Sequence, residues 1–292
     1  MGKQIIAVDL GGTQIRTARY DNQLNLLQRE NTLTLAHEGL EPTLERIKEY
    51  IHKVMPDNKD DVRGIGFSAP GPLNPMTGVI VAPPNLPGWH NVPLADIISE
   101  EFGVPVFVGN DANVAALAEA SKGAAQGYRH VTYLTISTGV GGGIIIDGLL
   151  LLGKEGLGGE VGHIPIIVEE GKLSTFELES AGPRIALKVR DRIEAGETSI
   201  IQEMVNGDLS KIDAKVVGDA AVQGDKVAVE QLAYAGRITG YGIVTMLHLF
   251  NPEIIVIGGG VSKTGDLLFK PLWVSIREAG VNVHIIHDLK SE

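Results

Sequence analysis

The stretch IIAVDLGGTQIRTARYD, residues 5–21, constrains this chain more than any other: an apolar run stops at Asp9, crosses two glycines and resumes as an alternating segment. Such a pattern folds as strand, glycine turn, strand, and leaves a carboxylate at the end of a buried strand. Residues 131–152 repeat it, with YLTISTGVGGGIIIDGLLL running from apolar strand through a small-residue turn to apolar strand, then to a turn at Asp147-Gly148. A shift of 128 residues lays Gly139 on Gly11 and aligns the flanking apolar runs. Two related α/β halves leave this trace, although short strand-turn-strand pieces also match by coincidence.

A chain of 292 residues suits two domains, each with its own core. Its 43% hydrophobic content, with 37 glycines and 14 prolines, is that of a glycine-rich globular enzyme rather than a disordered or fibrous chain. A formal net charge of −11 opposes binding to nucleic acid or an anionic membrane face and favours small substrates. The absence of cysteine excludes disulfides, thiolate nucleophiles and cysteine-ligated zinc, and agrees with the cytoplasmic location expected here. The N-terminal MGKQIIAVDL lacks the apolar segment of an export signal, so none is expected, and the most apolar region, VTYLTISTGVGGGIIIDGLLLLG, is interrupted by glycines and Asp147 and reads as strands and turns.

Between the repeats, the spacing of Leu44, Ile47, Ile51 and Val54 predicts a helix over 41–54, and VRGIGFSA a strand up to Ala69. Residues 70–94 are too rich in proline and glycine for regular structure and long enough to line a site. A short helix at 96–101 follows, then a buried strand, VPVFVGND, ending at Asn110 and Asp111, and a helix closed by Gly123. The second half is mainly helical at 180–196, 214–222 and 225–249, before PEIIVIGGGVS returns to a buried strand and a glycine turn.

Three glycine turns thus follow apolar strands: DLGGT at 9–13, STGVGGG at 137–143 and GGGVS at 258–262. Each bares backbone N–H groups that can cradle phosphate oxygens, but each taken alone reads first as a tight hairpin or a helix packing closely on a strand, and it is the three together that favour the phosphate reading. No Gly-Lys-Ser or Gly-Lys-Thr closes any of them, so a bound nucleotide is held by something other than a P-loop. Asp9 reads either as a turn residue or as a carboxylate that reaches hydrated Mg²⁺. Asp111 reads either as a helix N-cap or as a base that takes a proton from a substrate hydroxyl. Glu160 and His163, three apart in GGEVGH, offer partners to hydroxyls or form a surface pair, and two such ligands do not make a metal site.

Taken in order, these segments resemble the ROK family of sugar kinases and repressors, and within it the bacterial ATP-dependent glucokinases. DLGGTQIRTARYD resembles the family's first phosphate motif, APGPLNPMTGVIVAPPNLPGWHNVPL its sugar-side loop, and GNDANVAALAE its catalytic segment. STGVGGGIIIDG resembles the second phosphate motif, GEVGH the Glu-x-Gly-His motif, and IGGGVS the adenosine motif. The likeness implies an α/β fold of two actin-like, ribonuclease-H-like domains with a cleft between them, here a smaller one over 1–112 and a larger one over 113–292. It also implies transfer of the γ-phosphate of ATP to the 6-hydroxyl of glucose, with Mg²⁺, in a homodimer. Asp111 would be the general base. Gly71, Asn85, Asn110, Glu160, His163 and Glu177 would join Asp111 in gripping the sugar, and Asp9 would hold Mg²⁺ through water. Gly11, Gly12, Thr13, Thr138 and Gly139 would line the phosphates, with Gly258, Gly259 and Gly260 beside the adenosine.

Two departures qualify the resemblance. Many family members follow Glu-x-Gly-His with cysteines that bind structural zinc, whereas IPIIVEEGKLSTFELESAGP has none, so no zinc is expected and Leu173 and Phe176 are the residues expected to hold Glu177 in place by packing. The family also adds a last glycine- and alanine-rich helix, which VNVHIIHDLKSE does not supply. Fructose, mannose, allose or an N-acetyl hexosamine are alternative acceptors, polyphosphate an alternative donor, and a sugar-sensing regulator without turnover the alternative of another class. Repressors of the family carry a helix-turn-helix ahead of the first phosphate motif, which here begins at residue 5.

Overall fold

The computed structural model describes residues 3–168, 171–279 and 285–287. They fall into two compact units, Met1–Val114 with Leu152–Gly158, and Ala115–Leu151 with Gly159–Glu292. Among the described residues no helix is long and apolar enough to cross a membrane.

In the first unit, β1 (Gln4–Leu10), β2 (Gln14–Tyr20) and β3 (Leu26–Leu33) form an antiparallel meander. After α1 (Leu40–Val54), β4 (Val62–Ala69) pairs parallel with β1. The connection at 70–94 holds a small hairpin, β5 (Leu73–Asn74) with β6 (Val79–Ile80), before α2 (Leu94–Phe102), β7 (Val106–Asn110) and α3 (Asp111–Lys122). The sheet order is β3-β2-β1-β4-β7. Alternation buries Ile6, Val8 and Leu10 of β1, and the helical spacing of Leu44, Ile47, Ile51 and Val54 buries one face of α1.

The connection at 70–94 is more ordered than its composition suggests. Ile80 and Val92 exchange backbone hydrogen bonds of 2.9 and 2.8 Å, and Leu86 and Trp89 are each 1% exposed within the first core. Four apolar residues spaced among the prolines supply enough burial to fold a segment whose local preference is irregular.

The second unit repeats the arrangement. The strands β8 (Val131–Ile136), β9 (Val140–Ile146) and β10 (Leu149–Leu150) form the meander. A hairpin of β11 (Pro165–Ile167) and β12 (Leu173–Thr175) leads into α4 (Phe176–Ser180), α5 (Gly182–Glu194), α6 (Ile201–Met204), α7 (Ala214–Val222) and α8 (Lys226–Phe250). Then β13 (Ile254–Gly258) joins β8 in parallel, and α9 (Asp266–Glu278) precedes β14 (Ile285–His287). The order β10-β9-β8-β13-β14 reproduces that of the first sheet strand for strand, so the repeat in the sequence corresponds to two sheets of one topology.

Helix α9, which no segment above anticipates, contains Pro271. It packs on α8 because Gly236 and Gly240 let the backbones touch: a Cβ on Gly236 would overlap the Leu268 carbonyl oxygen, and one on Gly240 would lie 2.7 Å from that of Leu272. Burial of Leu268, Leu272 and Ile276 outweighs the proline. At the other end of α8, Asp225 is 7% exposed and accepts from Ala228 N–H and Ile200 N–H, each at 2.9 Å. Asp225→Ala leaves both donors without an acceptor and is expected to cost about 2 kcal/mol, measured as a lower thermal midpoint.

Candidate active site

The three parallel strands of the first sheet end together. Asp9 stands opposite Ser68, and Ala69 opposite Asn110, so the C-terminal ends of β1, β4 and β7 form one edge. Ligands of open α/β sheets bind at such edges. Asp9 lies there with its carboxylate half-exposed, and Arg16, its neighbour across the β1–β2 ladder, donates to Oδ2 at 2.9 Å. The glycine turn that follows is closed by Gly11 N–H to Gln14 O at 2.9 Å and pinned by Thr34, whose buried hydroxyl donates to Gly11 O at 2.6 Å. Thr13 is exposed on the turn. Asn85 sits beside Gly12, where an added Cβ would come within 3.0 Å of its Cβ. Gly71 likewise faces Asn110, whose Nδ2 would be 3.0 Å from an added Cβ.

Asp111 is the first residue of α3, and its Oδ1 accepts the Ala112 N–H at 2.8 Å, which Asn110 Oδ1 shares at 3.0 Å. Its accessible surface leaves it exposed, yet desolvation by the surrounding protein raises its pKa above the ordinary aspartate value; the Asp9 charge adds to that rise, and the hydrogen bond from Ala112 opposes it. A carboxylate shifted upward at a strand-to-helix junction is suited to accepting a proton.

In the second sheet, β8 and β13 end side by side, with Gly258 opposite Thr135. Ser137 N–H donates to Gly139 O at 2.8 Å, which closes the second glycine turn, and Thr138 is exposed on it. Gly141, Gly142 and Gly143 are strand residues of β9, not turn residues. Gly142 admits Val161, whose Cγ2 would lie 2.6 Å from an added Cβ, and Gly162 rests directly on the Val140 carbonyl. Gly142 of that motif therefore serves packing of the Glu160–His163 segment. Both Glu160 and His163 are exposed, and His163 N–H donates to Glu160 O at 3.2 Å.

Glu177 belongs to the same neighbourhood, because Ile164 O accepts Phe176 N–H at 3.0 Å and ties the start of α4 to that segment. Its carboxylate is already engaged: Val140 N–H donates to Oε2 at 2.9 Å, and Gly139 has no Cβ where that oxygen lies. Phe176 is fully buried against Gly242, but Leu173 is 70% exposed. The expectation that Leu173 packs under Glu177 is therefore corrected: it stands opposite Ile167 in a two-stranded hairpin, with both side chains exposed, and of the two expected residues Phe176 is the one that packs.

Gly258, Gly259 and Gly260 line a cavity of about 300 Å³ together with Glu119, Tyr133, Ser262 and Lys263. Ser262 closes the GGGVS motif and Lys263 follows it in sequence. Glu119 and Tyr133 carry no such signal, since only the fold brings α3 and β8 to this wall. Among the described residues no group of three or more His, Asp or Glu is gathered as a metal cluster.

Two sheets of this order, each with its acidic residues or glycine turns at the ends of its parallel strands, define the actin-like, ribonuclease-H-like class of two-domain α/β proteins. The chain belongs to the ROK family, whose match spans residues 5–282. It is 36% identical to a glucokinase of Thermotoga maritima over 92% of this chain and 86% of that protein. Its fold matches a ROK family glucokinase from Streptomyces griseus, solved with glucose and AMPPNP, at 29% identity and a TM-score of 0.77, covering 99% of this chain and 92% of that one. A ROK hexokinase from Thermus thermophilus matches at 31% identity and a TM-score of 0.80, with 97% and 92% covered.

Proposed function

We propose that this chain is an ATP-dependent glucokinase that transfers the γ-phosphoryl group of ATP to the 6-hydroxyl of glucose. The observation that carries the reading is Asp111 beside Asn110 at the shared end of β1, β4 and β7, its carboxyl raised above the ordinary range and within the field of Asp9. Identity to glucokinases over nine-tenths of the chain supports glucose as the acceptor, and the Streptomyces griseus complex with glucose and AMPPNP supports ATP as the donor.

Asp111 takes the hydroxyl proton as the sugar oxygen bonds to the γ-phosphorus; the bond from that phosphorus to the β,γ-bridging oxygen breaks, and ADP leaves. Asn110, Gly71, Asn85, Glu160, His163 and Glu177 hold the sugar, so that its hydroxyl meets Asp111 in one orientation. Gly11, Gly12, Thr13, Thr138 and Gly139 bind the phosphates, and Gly258, Gly259 and Gly260 border the adenosine. Mg²⁺ is held by one or two carboxylates, water and substrate phosphates rather than by a protein cage, and Asp9, a half-exposed carboxylate beside a bare glycine turn, fits that donor set. Bound there, the ion would supply positive charge against the phosphates. The enzyme works in the cytoplasm on small substrates, as a homodimer.

A coupled ADP-release assay with ATP and Mg²⁺ against a panel of hexoses tests this. Glucose is expected to give the highest kcat/KM, and turnover on no sugar would overturn the reading. The acid limb of kcat/KM is expected above the ordinary aspartate value of 3.8, because activity needs Asp111 ionised and its pKa is raised.

A further inference from the structure

The second unit holds a cavity of about 650 Å³ that shares no lining residue with the sites above. Lys188 and Arg192 reach it from successive turns of α5, Gln231, Tyr234 and Arg237 from successive turns of α8, and Lys172 from the residue before β12. Its volume is that of a metabolite site.

Among the described residues the charges in its wall do not balance. Glu179, 7% exposed, is bonded by Lys188, by Ser174 Oγ at 2.5 Å and by the Tyr234 hydroxyl at 2.7 Å. Burial pushes its pKa up, and those three donors together bring it below the ordinary range, so the Lys188–Glu179 pair is saturated. Arg192 is saturated too, with Nε and Nη2 on Glu197 at 2.7 and 2.6 Å and Nη2 on Glu230 at 2.6 Å. Lys226 lies 3.8 Å from Glu230 and offsets the second carboxylate. Lys172 and Arg237 remain, and neither has a carboxylate partner among the described residues. Gln231 adds a donor: it is 6% exposed, and its Nε2 has no hydrogen-bond acceptor among the described residues. A buried amide donor without an acceptor is costly, and two unmatched cations beside it supply the field that an anion answers.

We propose that this cavity binds a small dianionic metabolite, a phosphate monoester or a dicarboxylate, through Lys172, Arg237 and the Gln231 amide, with the Tyr234 ring as one wall. The Arg237 guanidinium lies 6.0 Å from the centre of that ring, so an uncompensated cation stands beside the aromatic face.

Isothermal titration of the full chain with inorganic phosphate in one arm and malonate in the other tests the site without reference to kinase activity. At least one anion is expected to bind, and the double variant Lys172→Gln with Arg237→Gln is expected to weaken it at least about tenfold. Both side chains are exposed, so the variant leaves the fold intact and the thermal midpoint unchanged. Binding of phosphate alone assigns a phosphate monoester, and of malonate alone a dicarboxylate. Absence of binding by both anions, or affinity equal in the wild type and the double variant, overturns the proposal.

Discussion

Asp111→Asn is expected to reduce kcat on glucose by about three orders of magnitude, in the range that a general base contributes, while glucose still binds. Asparagine keeps the shape and the Oδ1 that accepts the Ala112 N–H at 2.8 Å, so the start of α3 is preserved. What it removes is the lone pair basic enough to take the hydroxyl proton. The same substitution is not expected to lower stability at neutral pH. Asp111 has a folded pKa above its unfolded value, so it favours the folded state below that unfolded value, and the contribution is lost as pH rises through the folded pKa. A charge that folding disfavours is thereby deleted. Steady-state kinetics, glucose calorimetry and a melting curve at pH 7 check the three parts, and a melting point that falls with kcat would assign Asp111 to the fold rather than to the chemistry.

Gly259→Ala is expected to destabilise the second unit by about 3 kcal/mol, adding overpacking to a left-handed backbone penalty, and to raise the KM for ATP. Gly259 has φ of 93°, where a side chain is strained, and an added Cβ would overlap the Ile136 carbonyl oxygen and lie 2.7 Å from both the carbonyl carbon and the nitrogen of that residue. These are backbone atoms of β8, which pairs with β13 and cannot retreat without breaking the ladder. The glycine motif also lines the 300 Å³ cavity, so any relaxation moves its wall. Thermal denaturation with and without AMPPNP, together with ATP kinetics, measures both effects. An unchanged midpoint would mean that the turn is not held as tightly as its contacts imply.

The repeat shows what was legible in the chain. Alternation in β1 and apolar content in β8 are encoded within a few residues, and both places where the sequence puts a turn after Asp9 and Ser137 carry one. The functions of the glycines were less legible, because the same residue type makes room for the Glu177 carboxylate at Gly139 and for the Val161 side chain at Gly142. Only the partner distinguishes them, and Val161 lies 19 residues away from Gly142. Helix α9 was missed for a related reason: Pro271 opposes it locally, and the compensation comes from Gly236 and Gly240 on α8.

By itself the sequence determined the strand and turn pattern, the order of the six motifs and therefore the family, because each is written in a short window whose backbone preferences are local. The tertiary structure decided what those windows meet. It set the Glu177 carboxylate on the Val140 N–H, buried Trp89 from a proline-rich connection, brought Tyr133 to the wall beside Gly258, and gathered Lys172, Gln231 and Arg237 around one cavity. Each of these depends on two segments far apart in the chain reaching the same place, and that approach is governed by burial of the core rather than by any local preference.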